Sequence, residues 1–200
     1  MAGVRGRATT IAIGAIALTA VLVGCATSTS GTATPSTDPN SAASPGHPQA
    51  PKVADPLDPS AMVAAPCTSL TEANVRDVGF DNPISQPDKG NNGNGCAWAG
   101  EGGGNMNIAW ETANKHGLGD LYTTQSNFAY WLPTTIDGYP GVFADAVGDF
   151  RSRGDCVLNV GVNDQLTFFI QYDNPLTPTQ GCPSAAKAAA DVIANLKAGT

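Results

Sequence analysis

The sequence predicts an α+β fold: an antiparallel sheet of about five strands, helices packed on one face, and two disulfides. Three observations lead there. Cys156, Leu158, Val160 and Val162 alternate toward one face, Asn163-Asp164 offers a turn, and Leu166, Phe168, Ile170 and Tyr172 alternate on the return. That period of two on both arms is a hairpin with one buried side. From about Ser184 to Lys197, Ala185, Ala189, Val192, Ile193 and Leu196 make an apolar stripe opposite Lys187, Asp191 and Asn195, with Gly199 as a stop. Such a helix covers a sheet. Finally, Cys67, Cys96, Cys156 and Cys182 form an even set in a chain whose N-terminus reads as an export signal, which predicts a disulfide framework.

The remaining elements follow in chain order. Thr71 is a good N-cap, with Leu70 and Val75 spaced as a hydrophobic staple and Gly79 as the stop. Asp81 to Gly95, dense in Asn, Gly and Pro, is expected to be a loop. Cys96-Ala97-Trp98 begins a short strand, Glu101 to Gly104 turns the chain, and Met106, Ile108 and Trp110 alternate as the next strand. Leu118 to Trp131 is expected to be helical, ended by Pro133, and Val142 to Ala146 to be a weak strand. The order is helix, two strands, helix, about three strands, helix, and antiparallel strands covered on one face define the α+β class.

The N-terminus reads as an address. Arg5 and Arg7 precede sixteen uncharged residues, Ala8 to Val23, a run shorter than the roughly 20 residues a membrane-spanning helix needs. It ends in Leu22-Val23-Gly24-Cys25, which resembles a bacterial lipobox, so residues 1–24 are expected to be a lipoprotein signal peptide. Small residues there admit the signal peptidase, and the Cys25 thiol accepts the lipid. Anchoring by two or more acyl chains is stable at about 0.8 kcal/mol per buried methylene. The expected location is the outer face of the cell membrane.

Residues 25–65 are expected to be the lipidated cysteine and a disordered tether. Ala26 to Ala65 contains seven Pro, six Ser, five Thr and nine Ala but no aromatic residue, too little apolar surface to offset the entropy of ordering. Thr27, Thr29, Thr32, Thr34 and Thr37 also resemble an O-glycosylated stalk as much as a bare spacer. All thirteen aromatic residues fall in 66–200, one domain large enough to own a core. Its four cysteines allow three connectivities. The expected one is Cys67 with Cys96 and Cys156 with Cys182, each closing a loop of about 30 residues and contributing about 3.5 kcal/mol in the chain-entropy model.

Charge and residue supply exclude several functions. Seventeen acidic against ten basic residues give a net charge of -7, the wrong sign for displacing counterions from nucleic-acid phosphates. His116 is the one histidine of the domain, which leaves Ser-His-Asp, Cys-His and His-rich metal sites without material. Ser184-Ala185-Ala186-Lys187 is an S-x-x-K sequence at a helix start, but its S-D-N and K-T-G partners are absent. Ser184 as a cap and Lys187 as a solvated cation is the simpler reading. Gly100 to Gly104 leads into a strand and fits neither phosphate-binding spacing. Asp88, Asn92 and Gly93 echo a calcium loop that would need a glutamate where Ala99 stands. Asp145, Asp149 and Asp155 around Arg151 and Arg153 read as a solvated charge cluster, and Phe128, Tyr130 and Trp131 as a helix end packing on the sheet. No catalytic residue, metal site or cofactor is assigned.

Taken together, Pro66-Cys67-Thr68-Ser69-Leu70-Thr71, Gly95-Cys96-Ala97-Trp98, Gly138-Tyr139-Pro140-Gly141-Val142, Cys156-Val157-Leu158-Asn159-Val160 and Gly181-Cys182-Pro183, with the Ala-rich helix ending in Asn195-Leu196, resemble the actinobacterial envelope lipoproteins grouped as domain of unknown function 3558. Within that group the sequence resembles the Lpr-type lipoproteins of mycobacteria. Glu72 departs from the pattern, standing where many relatives carry Pro. The resemblance implies an envelope location and disulfides, and no catalytic residue.

The expected function is a non-enzymatic accessory module. It is held to the membrane through Cys25 and binds an envelope protein, a cell-wall component or a lipid. A small cell-wall or lipid hydrolase and an apolar-ligand carrier are the alternatives. The first demands convergent ionisable groups in a cleft, the second a sizeable apolar cavity.

Overall fold

A computed structural model describes residues 49–81, 83–90 and 93–199. The signal segment, Cys25, most of the expected tether and Asn92 lie outside the described residues.

The sheet has seven antiparallel strands: β1 (Ser85–Gly90), β2 (Gly93–Ala99), β3 (Asn105–Trp110), β4 (Tyr130–Ile136), β5 (Tyr139–Asp145), β6 (Asp155–Asn163) and β7 (Leu166–Asp173), in the spatial order β1-β2-β3-β7-β6-β5-β4. The expectation of about five strands is therefore corrected by two. β1 occupies the stretch expected to be a loop, and the helix expected over Leu118–Trp131 ends at Thr123, its last two residues opening β4. Both additions carry a proline, Pro87 and Pro133, and both are edge strands, where a missing ladder N–H is tolerated. A further cue was the Asp137-Gly138 pair. Both residues have positive φ, 48° and 92°, the two-residue hairpin turn that Asp-Gly favours. It joins Tyr130-Trp131-Leu132 and Thr134-Thr135-Ile136, rich in aromatic and β-branched residues, to β5.

The helices are α1 (Ser60–Ala64), α2 (Glu72–Asp77), α3 (Leu118–Thr123) and α4 (Gly181–Ala198). α2 begins as expected: Thr71 Oγ1 accepts from the Asn74 N–H, and Asn74 Oδ1 accepts from the Thr71 N–H, a capping box built with Asn in place of Glu. α4 starts three residues before Ser184, so Ser184 lies within its first turn and Gln180 takes the cap position. The alanines of α4 let it sit close on β6 and β7. Ala185, Ala188, Ala189, Val192 and Ile193 are fully buried against the Leu158, Val160, Phe168 and Ile170 side of the sheet. Ser69 ties the pieces together, accepting from Trp110 Nε1 at 3.2 Å on Oγ and from Asn195 Nδ2 at 3.0 Å on its carbonyl.

Helices are not confined to one face. Leu118 of α3 packs over Gly161, and Leu121 and Tyr122 join Val142 and Ala144 in a second cluster on the side away from α4. The sulfurs pair as Cys67–Cys96 and Cys156–Cys182, with Cα separations of 4.9 and 5.1 Å. The first pins the turn at Pro66–Thr68 to β2, and the second pins the start of α4 to β6.

The folded unit also starts earlier than Pro66. Met62 of α1 is fully buried in the main core, with Val53, Leu57 and Val63 packed against it. These four are the only long or branched aliphatic side chains of residues 26–65, and they give the segment enough apolar area to dock.

Candidate functional site

The segment leading into α1 crosses the sheet end as a strap. The Leu57 N–H donates to the Val162 carbonyl at 2.9 Å, and Asn163 Nδ2 donates to the Leu57 carbonyl at 3.3 Å. Further up, both oxygens of Asp164 hold it: Lys52 Nζ donates to Oδ2 and the Val53 N–H to Oδ1. These bonds keep the Asp164 carboxyl below the ordinary carboxylate range, the Lys52 ammonium contributing most.

Facing the strap stands the start of α3. Gly117 has φ +54°, and an added Cβ would lie 3.1 Å from the Asn163 and Asp164 carbonyl oxygens. Only glycine brings the chain so close to the β6–β7 turn. Asp120 organises this loop, accepting from the Lys115 and His116 N–H groups on Oδ2 and meeting His116 Nδ1 at 2.9 Å on Oδ1. Partial burial alone would raise the Asp120 carboxyl, but those hydrogen bonds outweigh it and the group lies below its ordinary value.

Between the strap, α3 and the β6–β7 turn lies a groove of about 530 Å³, within the range of small-molecule sites. Val53, Leu118, Tyr122 and Gly161 give it an apolar floor, and Lys52, Lys115, His116, Asn163 and Gln165 a polar rim. A second hollow of about 410 Å³ adjoins the Cys67–Cys96 bridge, between Pro66, Pro87, Lys89 and Asn94.

Other residues singled out in the sequence are dispersed. Lys187 Nζ is held by Asp191 at 3.1 Å and Asp77 at 3.7 Å. Arg151 grips Asp149 through Nε and Nη2 at 2.8 and 2.6 Å and lies over the Tyr130 ring, while Arg153 lies over Phe150. Asp155 stands opposite Asp173 on the ladder; burial, then the Asp173 and Asp145 charges, raise its carboxyl. Phe128 and Trp131 belong to the second cluster beneath α3. The Gly100–Gly104 stretch forms the turn between β2 and β3. Among the described residues no group of three or more His, Cys, Asp or Glu is placed to hold a metal ion, and no helix is long and apolar enough to cross a membrane.

The groove was not legible in the sequence. Lys52 and Asp164 are 112 positions apart, and locally Asp164 reads only as a turn residue. The one local signal was His116-Gly117 ahead of an acidic first helical turn.

The family model described as "Protein of unknown function (DUF3558)" matches residues 20–195, and the chain belongs to that family. Comparison with curated proteins and with solved structures gives no match.

Proposed function

We propose that this DUF3558 member is a lipid-anchored envelope protein whose domain binds a ligand or partner without transforming it. Cys25 of the Leu22–Cys25 lipobox would carry the anchor on the outer face of the cell membrane, as the resemblance to envelope lipoproteins implies. The observation that carries the binding role is the groove beneath the strap. It pairs an apolar floor with a polar rim, while its ionisable groups serve the scaffold: Asp164 holds the strap and Asp120 holds the loop before α3. That is the chemistry of recognition, in which an apolar body is buried and a few polar groups fix its orientation.

An envelope protein, a cell-wall component or a lipid is the expected class of occupant.

Gly119 offers a clean test. It lines the groove, and an added Cβ meets only His116 Cβ at an ordinary 3.5 Å, so Gly119→Leu fills the space and also favours the helix. Wild-type and variant protein would be captured from membranes with crosslinking, and co-purified proteins and lipids identified by mass spectrometry. The proposal expects a species bound to wild type and lost from the variant. An unchanged captured set would sink it. Separately, Cys25→Ala should release the protein from membrane fractions or leave its signal uncleaved, and normally processed, membrane-bound Cys25→Ala would rule out the anchor.

A further inference from the structure

On the side of the sheet away from α4, α3 covers β6 at Gly161 and β5 at Val142 and Ala144. Across the rest of that side, β6, β7, β3 and β2 present an unusual set of residues. The register places Asn159 opposite Phe169, Phe169 opposite Ala109, Val157 opposite Gln171 and Gln171 opposite Asn107, with Ala97 and Gly95 next along β2. Asparagine is a poor strand former, whereas Gly95 answers a close approach, an added Cβ standing 2.4 Å from the Ile108 carbonyl oxygen.

One of these amides is left unsatisfied: Asn107 Oδ1 is fully buried and has no partner among the described residues. Asn159, on the same face, is only 5% exposed. Unpaired buried polar atoms are disfavoured and call for a reason. Half-buried Phe169 lies between them, and Gln171 completes the patch.

We infer that this patch, centred on Phe169 and framed by Asn107, Asn159 and Gln171, is a second binding surface whose ligand is a neutral polyhydroxylated chain, a glycan. Charge selects the class. β2, β3, β6 and β7 contain no lysine or arginine, and Asp155 and Asp173 stand at one end of the patch, so phosphates and carboxylates find no counter-charge. Amides donate and accept together, as hydroxyl pairs require, and the accessible part of the half-buried Phe169 ring suits the apolar face of a sugar. An extended peptide would add to a sheet edge, not lie on its face.

The test titrates neutral tetrasaccharides (cellotetraose, maltotetraose, mannotetraose and chitotetraose) into the full chain in detergent, followed by calorimetry. At least one should bind, at least tenfold more weakly to both Phe169→Ala and Gln171→Ala and equally well to Gly119→Leu, which separates this surface from the groove. No binding at millimolar concentration, binding indifferent to both variants, or binding lost only in Gly119→Leu would overturn the inference. A readout independent of ligand uses Asn107→Val and Asn159→Val. Both should keep or raise the melting temperature, because a poor strand former is replaced by a good one. A fall of several degrees in both would show that the amides serve the fold and would equally overturn it.

Discussion

Asp164 and Lys52 meet at 3.0 Å across the mouth of the groove, and the same carboxylate takes the Val53 N–H at 3.2 Å. One turn residue thus fixes the strap by both of its oxygens. Because these bonds lower the folded-state value of Asp164, their stabilisation is present above the ordinary carboxylate range and is lost as pH falls through the lowered value. Wild type should therefore melt slightly above Asp164→Asn at neutral pH, and the gap should close below about pH 4. The effect is small because the pair is exposed. A gap that widens with acid would contradict the clasp.

The disulfides make a second prediction. Non-reducing peptide mapping should recover Cys67 linked to Cys96 and Cys156 linked to Cys182. Replacing Cys156 and Cys182 together by Ala should cost about 3.5 kcal/mol, which in a domain of this size lowers the melting temperature by roughly 7–14 °C. A loss of only a degree or two would mean that α4 holds its place on β6 without the bridge.

How far the sequence spoke for the fold depended on whether a local rule sufficed. The Cys156–Tyr172 hairpin, the Thr71 cap and the α4 stripe were readable because each repeats within a few residues, and the inward set Cys156, Leu158, Val160 and Val162 is fully buried as its period implies. β1 and β4 were missed because Pro87 and Pro133 argue against strands in general, and only their edge positions excuse them. The Asp137-Gly138 turn is a local signal for the β4–β5 hairpin. The groove could not have been read, since Lys52 and Asp164 meet only through tertiary structure. Nothing local in the sequence marks Asn107 or Asn159 apart from the weak strand propensity of asparagine.

Met62 tests where the folded unit begins. It is fully buried although it lies in a stretch with the composition of a tether. If α1 is part of the core, Met62→Ala should destabilise by about 2–5 kcal/mol, the range for truncating a buried methionine. Chemical denaturation at equilibrium measures this directly. A change below about 0.5 kcal/mol, ordinary for a surface position, would place the start of the unit back near Pro66.

Gly117 is the most exacting position around the groove, because two independent constraints fall on it. Its φ of +54° disfavours any L side chain, and an added Cβ would stand 3.1 Å from two carbonyl oxygens of the β6–β7 turn. Gly117→Ala should therefore cost on the order of 1–3 kcal/mol, and more of this should appear as displacement of α3 than as global unfolding. The turn carries Asp164, so the shift would reach the strap, and amide exchange should quicken at Val53 and along Leu118–Thr123 while α4 stays protected. Gly119→Leu fills the same groove without touching the turn and should leave those amides as they are. If Gly117→Ala exchanges like wild type at Val53, the strap and α3 are not coupled through the turn, and the groove has two independent walls.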